Sequence, residues 1–567
     1  MARIAVLLTG CFLMFAVPVA QAEEPQSTAS KSELALWPGA TSLTLGRDDA
    51  GKSVIAWIDS RALDPLGKGA LAFVVFDEAA DEDPSGQHAL RMHETLRQTF
   101  GEDVRCVMVY GGPGQKYPPS GSAYNTPRER MAATIWRAIG WLGPDLVVEC
   151  TPEDVDLNDA SMLWKAVAVQ PAAPIGTVPS ALVRISENTG PAAAQPQQQI
   201  TFAWQPTPLP EKLGVSPLRA ELQQRLRRTP AKCAEQLAAV YGHDLKNIMY
   251  QPALAVMARL DLAAQLDDSS VAVEIEKVVE PWLQKSSAPK DSKQKGVNGS
   301  ANAGHLVFAA WAEQTGDPRA IELVRRVADQ AFDSQGQPLS AMPGHSEMSD
   351  AVFMACPILT SAGRLTGEEK YLDMAQRQLQ FMQKLCLRSD GLYRHSPLCE
   401  AAWGRGNGFP MLGLALAITD LEAIEHDESK EKSLRERATQ LKQALLKNLQ
   451  RHAEALLPHQ DPTGMWRQVI DEPSAYREMT ATCMIGFTLQ RGIDRSWLDA
   501  ERFQSSVDQA WSAVSKRCGA DGVLFDVCTG TGKMKSLQAY FDRTAILARD
   551  ERGGAMALLF AVERMRN

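Results

Sequence analysis

The chain of 567 residues is long enough for two or more domains with sizeable cores. Its 59 Lys and Arg against 68 Asp and Glu give a formal net charge of −9 with no basic block, which excludes nucleic acid and anionic membrane surfaces as expected partners. Ten cysteines in so long a chain, none of them in a CxxC pair, do not make a disulfide scaffold.

Residues 1–22 carry Arg3, an apolar run from Ile4 to Val19 and the small-residue pattern Ala20-Gln21-Ala22 before Glu23 and Glu24. This is the form of an export signal. A rival, lipoprotein-like reading centres on Leu8-Thr9-Gly10-Cys11, but the segment before Cys11 is very short and the run stays apolar past it. Cleavage after Ala22 leaves a mature chain expected to be secreted or periplasmic, with no membrane association, since no later stretch has the ~18 to 20 apolar residues that span a bilayer. Of the nine remaining cysteines, Cys518 and Cys528 flank a loop, and the sequence does not decide whether they are bridged.

Residues 23–180 read as an α/β accessory domain. Short apolar runs around 53–58, 70–79, 104–112 and 144–150 alternate with turns, and Met131, Ile135, Trp136, Ile139 and Trp141 mark a helix between the last two. Tyr110-Gly111-Gly112-Pro113-Gly114 lacks the spacing of a dinucleotide loop, and neither a phosphate-loop lysine nor a G-x-S-x-G elbow is present. YPPSGSAYN and PDLVVE faintly resemble carboxypeptidase-like or deacylase-like α/β hydrolases, without their His-x-x-Glu zinc pair. Residues 181–212, rich in Pro, Ala and Gln, read as a linker or edge segment.

From residue 213 to the end the pattern is helical throughout, a dozen or so amphipathic segments joined by Gly-, Pro- and Asp-rich turns. So many helices over ~350 residues fit alternating inner and outer helices closed into an α/α toroid. The same rhythm also fits an open helical solenoid, which would offer an interaction surface and no enzyme.

Chemistry concentrates in GLYRHSPLCEAAWGRGNGF, residues 391–409, with His395, Glu400, Trp403, Arg405 and Asn407 among three glycines. Two readings are open: a Gly-rich loop capping the apolar helix that follows, or a polar pocket at its mouth. Asp350 opens another helix, either as its cap or as a general acid or base at an inner helix end, with His345 on the same rim. Glu400 is the natural second carboxylate. Acid, indole and guanidinium together suit a sugar acid: Trp403 stacks on the ring and Arg405 pairs with the carboxylate. Trp466 and Gln468 in GMWRQVID, and Glu478 before the next apolar helix, complete the candidate binding set.

Five blocks in order, SDAVFMACPILTSAGRLTGEEKYLD, GLYRHSP with WGRGNGF, GMWRQVID, EMTATCMIGF, and VCTGTG with GGAMALLFAVE, resemble the unsaturated glucuronyl and rhamnogalacturonyl hydrolases of glycoside hydrolase families 88 and 105. The resemblance covers roughly 220 residues and extends more weakly back to about Leu213. It implies an all-α (α/α)6 toroid over 213–567, which here follows the N-terminal α/β domain. It further implies that the chain removes an unsaturated uronic acid from the non-reducing end of lyase-generated oligosaccharides. In that family a carboxylic acid protonates the C4=C5 vinyl ether, water adds at C5, and the hemiketal opens, with no cofactor and no metal. By motif, Asp350 and His395 match catalytic positions, while Trp403, Arg405, Asn407, Trp466 and Gln468 match the binding set. Two departures stand out. The family's proton-donating aspartate lies between the histidine and the WGRG tryptophan, where this chain offers only Glu400, and Phe409 stands where tryptophan is common.

Overall fold

The computed structural model describes residues 37–566 apart from 79–82, 84–85, 113, 120–128, 154–161, 173–174, 189–198, 206–209, 288–297 and 345–346. The export signal, Ser120 of YPPSGSAYN and His345 lie outside the described residues.

The first domain is built on strands β1 (Ala40–Arg47), β2 (Ser53–Asp59), β3 (Leu71–Phe76), β4 (Arg105–Tyr110), β5 (Leu146–Pro152), β6 (Ser180–Asn188) and β7 (Gln199–Gln205). They form one sheet in the order β1-β2-β4-β3-β5-β6-β7, with β4, β3, β5 and β6 parallel and both edges antiparallel. Every residue of β3 and β4 is buried, as parallel strands covered on both faces require. Ala72, Val74 and Phe76 face helix α1 (Gln87–Phe100), whereas Leu71, Phe73 and Val75 face α2 (Arg130–Leu142) and α3 (Leu163–Val169). The Pro- and Gln-rich stretch read as a linker thus contains most of β6 and all of β7, in which alternating Val183 and Ile185 pair with Trp204 and Phe202 across the sheet edge.

The rest of the chain supplies α4 (Pro217–Arg227), α5 (Pro230–Ala238), α6 (Tyr250–Leu266), α7 (Ser269–Leu283), α8 (Gly299–Gly304), α9 (Leu306–Thr315), α10 (Pro318–Ala328), α11 (Ala351–Thr366), α12 (Lys370–Cys386), α13 (Gly404–His426), α14 (Lys432–Leu456), α15 (Met479–Asp494) and α16 (Ala500–Arg517). These are followed by strand β8 (Leu524–Cys528), α17 (Leu537–Phe541), strand β9 (Ala545–Ala548) and α18 (Glu551–Glu563). Helices α6, α8 with α9, α11, α13, α15 and α18 pack each on the next, and α18 returns onto α6, so the ring is closed and is a toroid. Outside it lie α5, α7, α10, α12, α14 and α16. Sequence explains the two layers. Inner α11 and α15 are buried on nearly every side, from Ala351 to Gly363 and from Met479 to Gly492. Outer α14 buries one stripe, Leu434, Ala438, Leu441, Leu445, Leu449, His452, Ala453 and Leu456. At Gly413 of α13 an added Cβ would lie 2.7 Å from the Phe353 Cα, so glycine sets how closely α11 and α13 approach.

The antiparallel β8–β9 hairpin has no counterpart in the helical reading of this region. It joins the two domains. Phe525 and Leu547 enter the apolar core beneath α2, together with Leu218 and Leu222 of α4. Arg137 of α2 and Arg517 of α16 donate to the buried carboxylate of Asp526 at 2.7 and 3.0 Å. Arg477 donates to the carbonyls of Leu45 and Thr44 on β1.

Candidate active site

The N-terminal ends of the inner helices converge on one end of the ring. Asp350 precedes α11 with helical backbone angles and makes no side-chain cap hydrogen bond, so its carboxylate is not absorbed by the helix. Instead Oδ1 faces Nε2 of His395 at 3.2 Å. The pair is nearly closed off, His395 at 0 % and Asp350 at 5 % exposure. Ser349 N–H donates to the His395 carbonyl at 2.9 Å, fixing the loop that carries the imidazole. Trp403 covers the other side of the ring, with centroids 4.4 Å apart. Nδ1 lies 2.8 Å from the hydroxyl of Tyr540, which comes from α17.

The glycine-rich stretch is not a loop, because α13 begins at Gly404 and its glycines are helical. A Cβ on Gly406 would lie 2.9 Å from Ser349 Oγ and 3.4 Å from the His395 ring, so glycine admits the pair at close range.

Several residues expected to bind substrate serve as supports. Asn407 accepts from Tyr393 N–H at 2.8 Å and donates to the Tyr393 and Trp403 carbonyls at 2.8 and 3.0 Å, pinning both ends of the loop. Arg405 is buried, stacks over Trp403 and donates to the carbonyls of Cys528 and Thr529 at 2.5 and 2.7 Å. Burial opposes its charge, but the surrounding Cys528, Tyr250, Glu478 and Asp350 raise its proton affinity on balance. Glu478 caps α15 by accepting from the Thr480 and Ala481 N–H groups, and it also takes the Cys528 N–H at 2.8 Å. Gln468 donates to the Tyr540 carbonyl at 2.6 Å. Trp466 sits in the apolar core, its indole N–H on the Leu456 carbonyl. Phe409 stacks on Phe353 and meets Tyr250 edge-on inside the ring.

Glu400 is placed elsewhere. Its side chain is 69 % exposed and pairs with Arg394, so the structure does not bring it to Asp350 and His395. The loop turns between His395 and Trp403 so that the buried positions face the pair and Glu400 faces water. Tyr540 had no signal of its own in the sequence, lying 145 residues from the imidazole it contacts.

Six buried polar atoms in this one region have no aligned hydrogen-bond partner: Ser349 Oγ, Asp350 Oδ1, His395 Nε2, Trp403 Nε1, Arg405 Nε and Gln468 Oε1. Buried polar atoms are as a rule paired, and a concentration of exceptions marks a place where polar chemistry is held ready.

Among the described residues, groups of potential metal-binding side chains occur only in the first domain, as Asp59, His93 and Cys106 and as Glu78, Asp83 and His88. His88 bonds Glu78 through Nδ1 at 2.7 Å and Glu187 through Nε2 at 2.6 Å. Burial lowers its proton affinity, but Glu78, Glu187 and Asp83 together lift it to about 9.

The fold and this acid–imidazole–indole cluster define an α/α-toroid protein with a polar centre at the inner helix N-termini. Residues 249–567, more than half of the chain, match Glycosyl Hydrolase Family 88, and the chain belongs to that family. It is 26% identical over 186 residues to an unsaturated 3S-rhamnoglycuronyl hydrolase of Alteromonas sp. strain LOR, covering 31% of this chain and 42% of that one. It is 24% identical over 202 residues to the unsaturated rhamnogalacturonyl hydrolase YesR of Bacillus subtilis strain 168, covering 34% and 52%. The chain therefore spans about half the length of the curated relatives it matches. Among solved structures, a glycosyl hydrolase family 88 protein from Bacteroides vulgatus overlays with a TM-score of 0.49 at 16% identity, over 61% of this chain and 99% of that one. No helix among the described residues is long and apolar enough to cross a membrane.

Proposed function

We propose that the protein is an exported, cofactor-independent glycoside hydrolase that removes an unsaturated uronic acid from the non-reducing end of lyase-generated oligosaccharides. The observation that carries this reading is the cluster of unpartnered polar atoms around Asp350 and His395, within a chain of this family. Asp350 is the proton-transferring group. Its carboxyl gives a proton to C4 of the C4=C5 vinyl ether, and its carboxylate takes a proton from the water that adds at C5. The resulting hemiketal opens and releases the glycosidic bond. His395 Nε2 stands beside the carboxylate throughout. Trp403 holds the imidazole in place, and Glu400 has no part in the reaction.

The names of the relatives above favour a uronide linked to rhamnose. The test follows the ultraviolet absorbance of the C4=C5 bond in unsaturated uronyl disaccharides. The wild type is expected to remove it and Asp350→Asn is not. Equal rates for the two proteins would sink the assignment, and binding without turnover on any lyase-generated disaccharide would leave a saccharide-binding toroid.

A further inference from the structure

Tyr540 meets the catalytic pair from behind. Its hydroxyl can both donate and accept. The Met534 N–H donates to it at 3.3 Å. Burial, the largest influence, pushes the phenol up to about 12, so it is un-ionised at neutral pH. With the Met534 N–H on the accepting side of the phenol oxygen, its own proton is directed to His395 Nδ1 at 2.8 Å. A ring nitrogen that accepts a hydrogen bond carries no proton, so the neutral imidazole bears its hydrogen on Nε2. That is the nitrogen facing Asp350 Oδ1.

We propose that Tyr540 is a positioning residue that locks His395 in the Nε2–H tautomer, so that the ring edge towards Asp350 carries a proton rather than a lone pair when the carboxyl gives up its proton. This rests on Asp350 being the proton-transferring group. The proton lost by Asp350 goes to C4 of the substrate and is restored from the attacking water, while the imidazole and phenol protons stay where they are. The opposite tautomer sets a nitrogen lone pair against a carboxylate at 3.2 Å, which opposes ionisation at the moment it is needed. Other neighbours leave the choice to Tyr540: Trp403 offers its ring to the imidazole at 4.4 Å, and Ser349 contacts the His395 carbonyl and not its ring. Gln468 fixes the Tyr540 backbone at 2.6 Å, so the hydroxyl is held at both ends of the residue.

Nitrogen-15 spectra of the full chain labelled at histidine, with His395 identified by the signal lost in His395→Gln, read the tautomer directly. Expected are an unprotonated Nδ1 and a protonated Nε2. A protonated Nδ1 in the wild type overturns the proposal, and this measurement needs neither substrate nor a variant of Tyr540. In Tyr540→Phe the aromatic ring is retained and the fixed tautomer is lost, with kcat down roughly 10- to 100-fold and KM within about twofold. A Tyr540→Phe protein that keeps both the wild-type tautomer and the wild-type kcat also overturns it. Should the wild type turn over no unsaturated uronide, the functional reading fails on its own, and the spectra still decide the tautomer.

Discussion

Two histidines in this chain are set against carboxylates, and they are treated in opposite ways. His88 in the first domain has each ring nitrogen bonded to a carboxylate, at 2.7 and 2.6 Å, with Asp83 close by and itself receiving the Gln87 and His88 N–H groups and the Tyr110 hydroxyl. His395 in the toroid has one nitrogen on a neutral phenol and the other facing Asp350 out of hydrogen-bond alignment. The first network is closed and holds a charge in place. The second is left open, and its members are positioned by Asn407 and Glu478, whose side-chain hydrogen bonds are made. The two histidines thus differ in how completely their ring nitrogens are hydrogen-bonded.

The largest expected effect breaks the open side. Asp350→Asn keeps size and packing but cannot transfer the proton, and kcat should fall roughly 10²- to 10⁴-fold with little change in the thermal midpoint. A midpoint shift comparable to that of a core truncation would move Asp350 to the stabilising class.

Next comes a closed network that links the domains. Arg137→Ala leaves Asp526, fully buried and at a positive φ of 69°, with Arg517 as its remaining ion-pair partner. Breaking one partner of a buried pair costs about 3 to 5 kcal/mol, and denaturant titration should show a loss of that order. Because Asp526 sits in β8 two residues before Cys528, whose N–H and carbonyl bond Glu478 and Arg405, activity should fall with it.

The His88 network sharpens the contrast through pH. Its pKa is raised from 6.5 to about 9 on folding, so its contribution is fully present below pH 6.5 and is lost as pH rises through 9. The contribution is at most about 3 kcal/mol. Wild-type stability should decline over that window, and His88→Gln should be less stable than wild type at pH 6, with the gap closing towards pH 10. A pH-independent difference would show that the imidazole is held neutral.

The smallest effect is expected at Glu400→Gln. An exposed pair with Arg394 is worth about 0 to 1 kcal/mol, so stability and turnover should both stay within about twofold of wild type. A large loss of turnover would place a second carboxylate in the reaction after all.

The helices were legible because apolar residues recur at helical spacing and Gly, Pro and Asp interrupt them. That Asp350, His395 and Trp403 come together was legible because such residues crowd into short stretches. The protein partners of Arg405, Asn407, Gln468 and Glu478 were not, since a polar residue in a motif reads the same whether it faces a ligand or a backbone group. The β8–β9 hairpin was missed because its two short strands, Leu524–Cys528 and Ala545–Ala548, are separated by a polar loop and a single helical turn, which obscures any period.

Sequence by itself determined the order of an α/β part before an all-α part and the layered helices, since these follow from local periodicity and residue type. Only the tertiary structure decided that the ring closes α18 onto α6, that Glu400 faces water, and that Tyr540 reaches His395 from the far end of the chain. The reason is physical. Burial and hydrogen-bond direction depend on what the rest of the chain packs against each residue, and that information is absent from any single stretch.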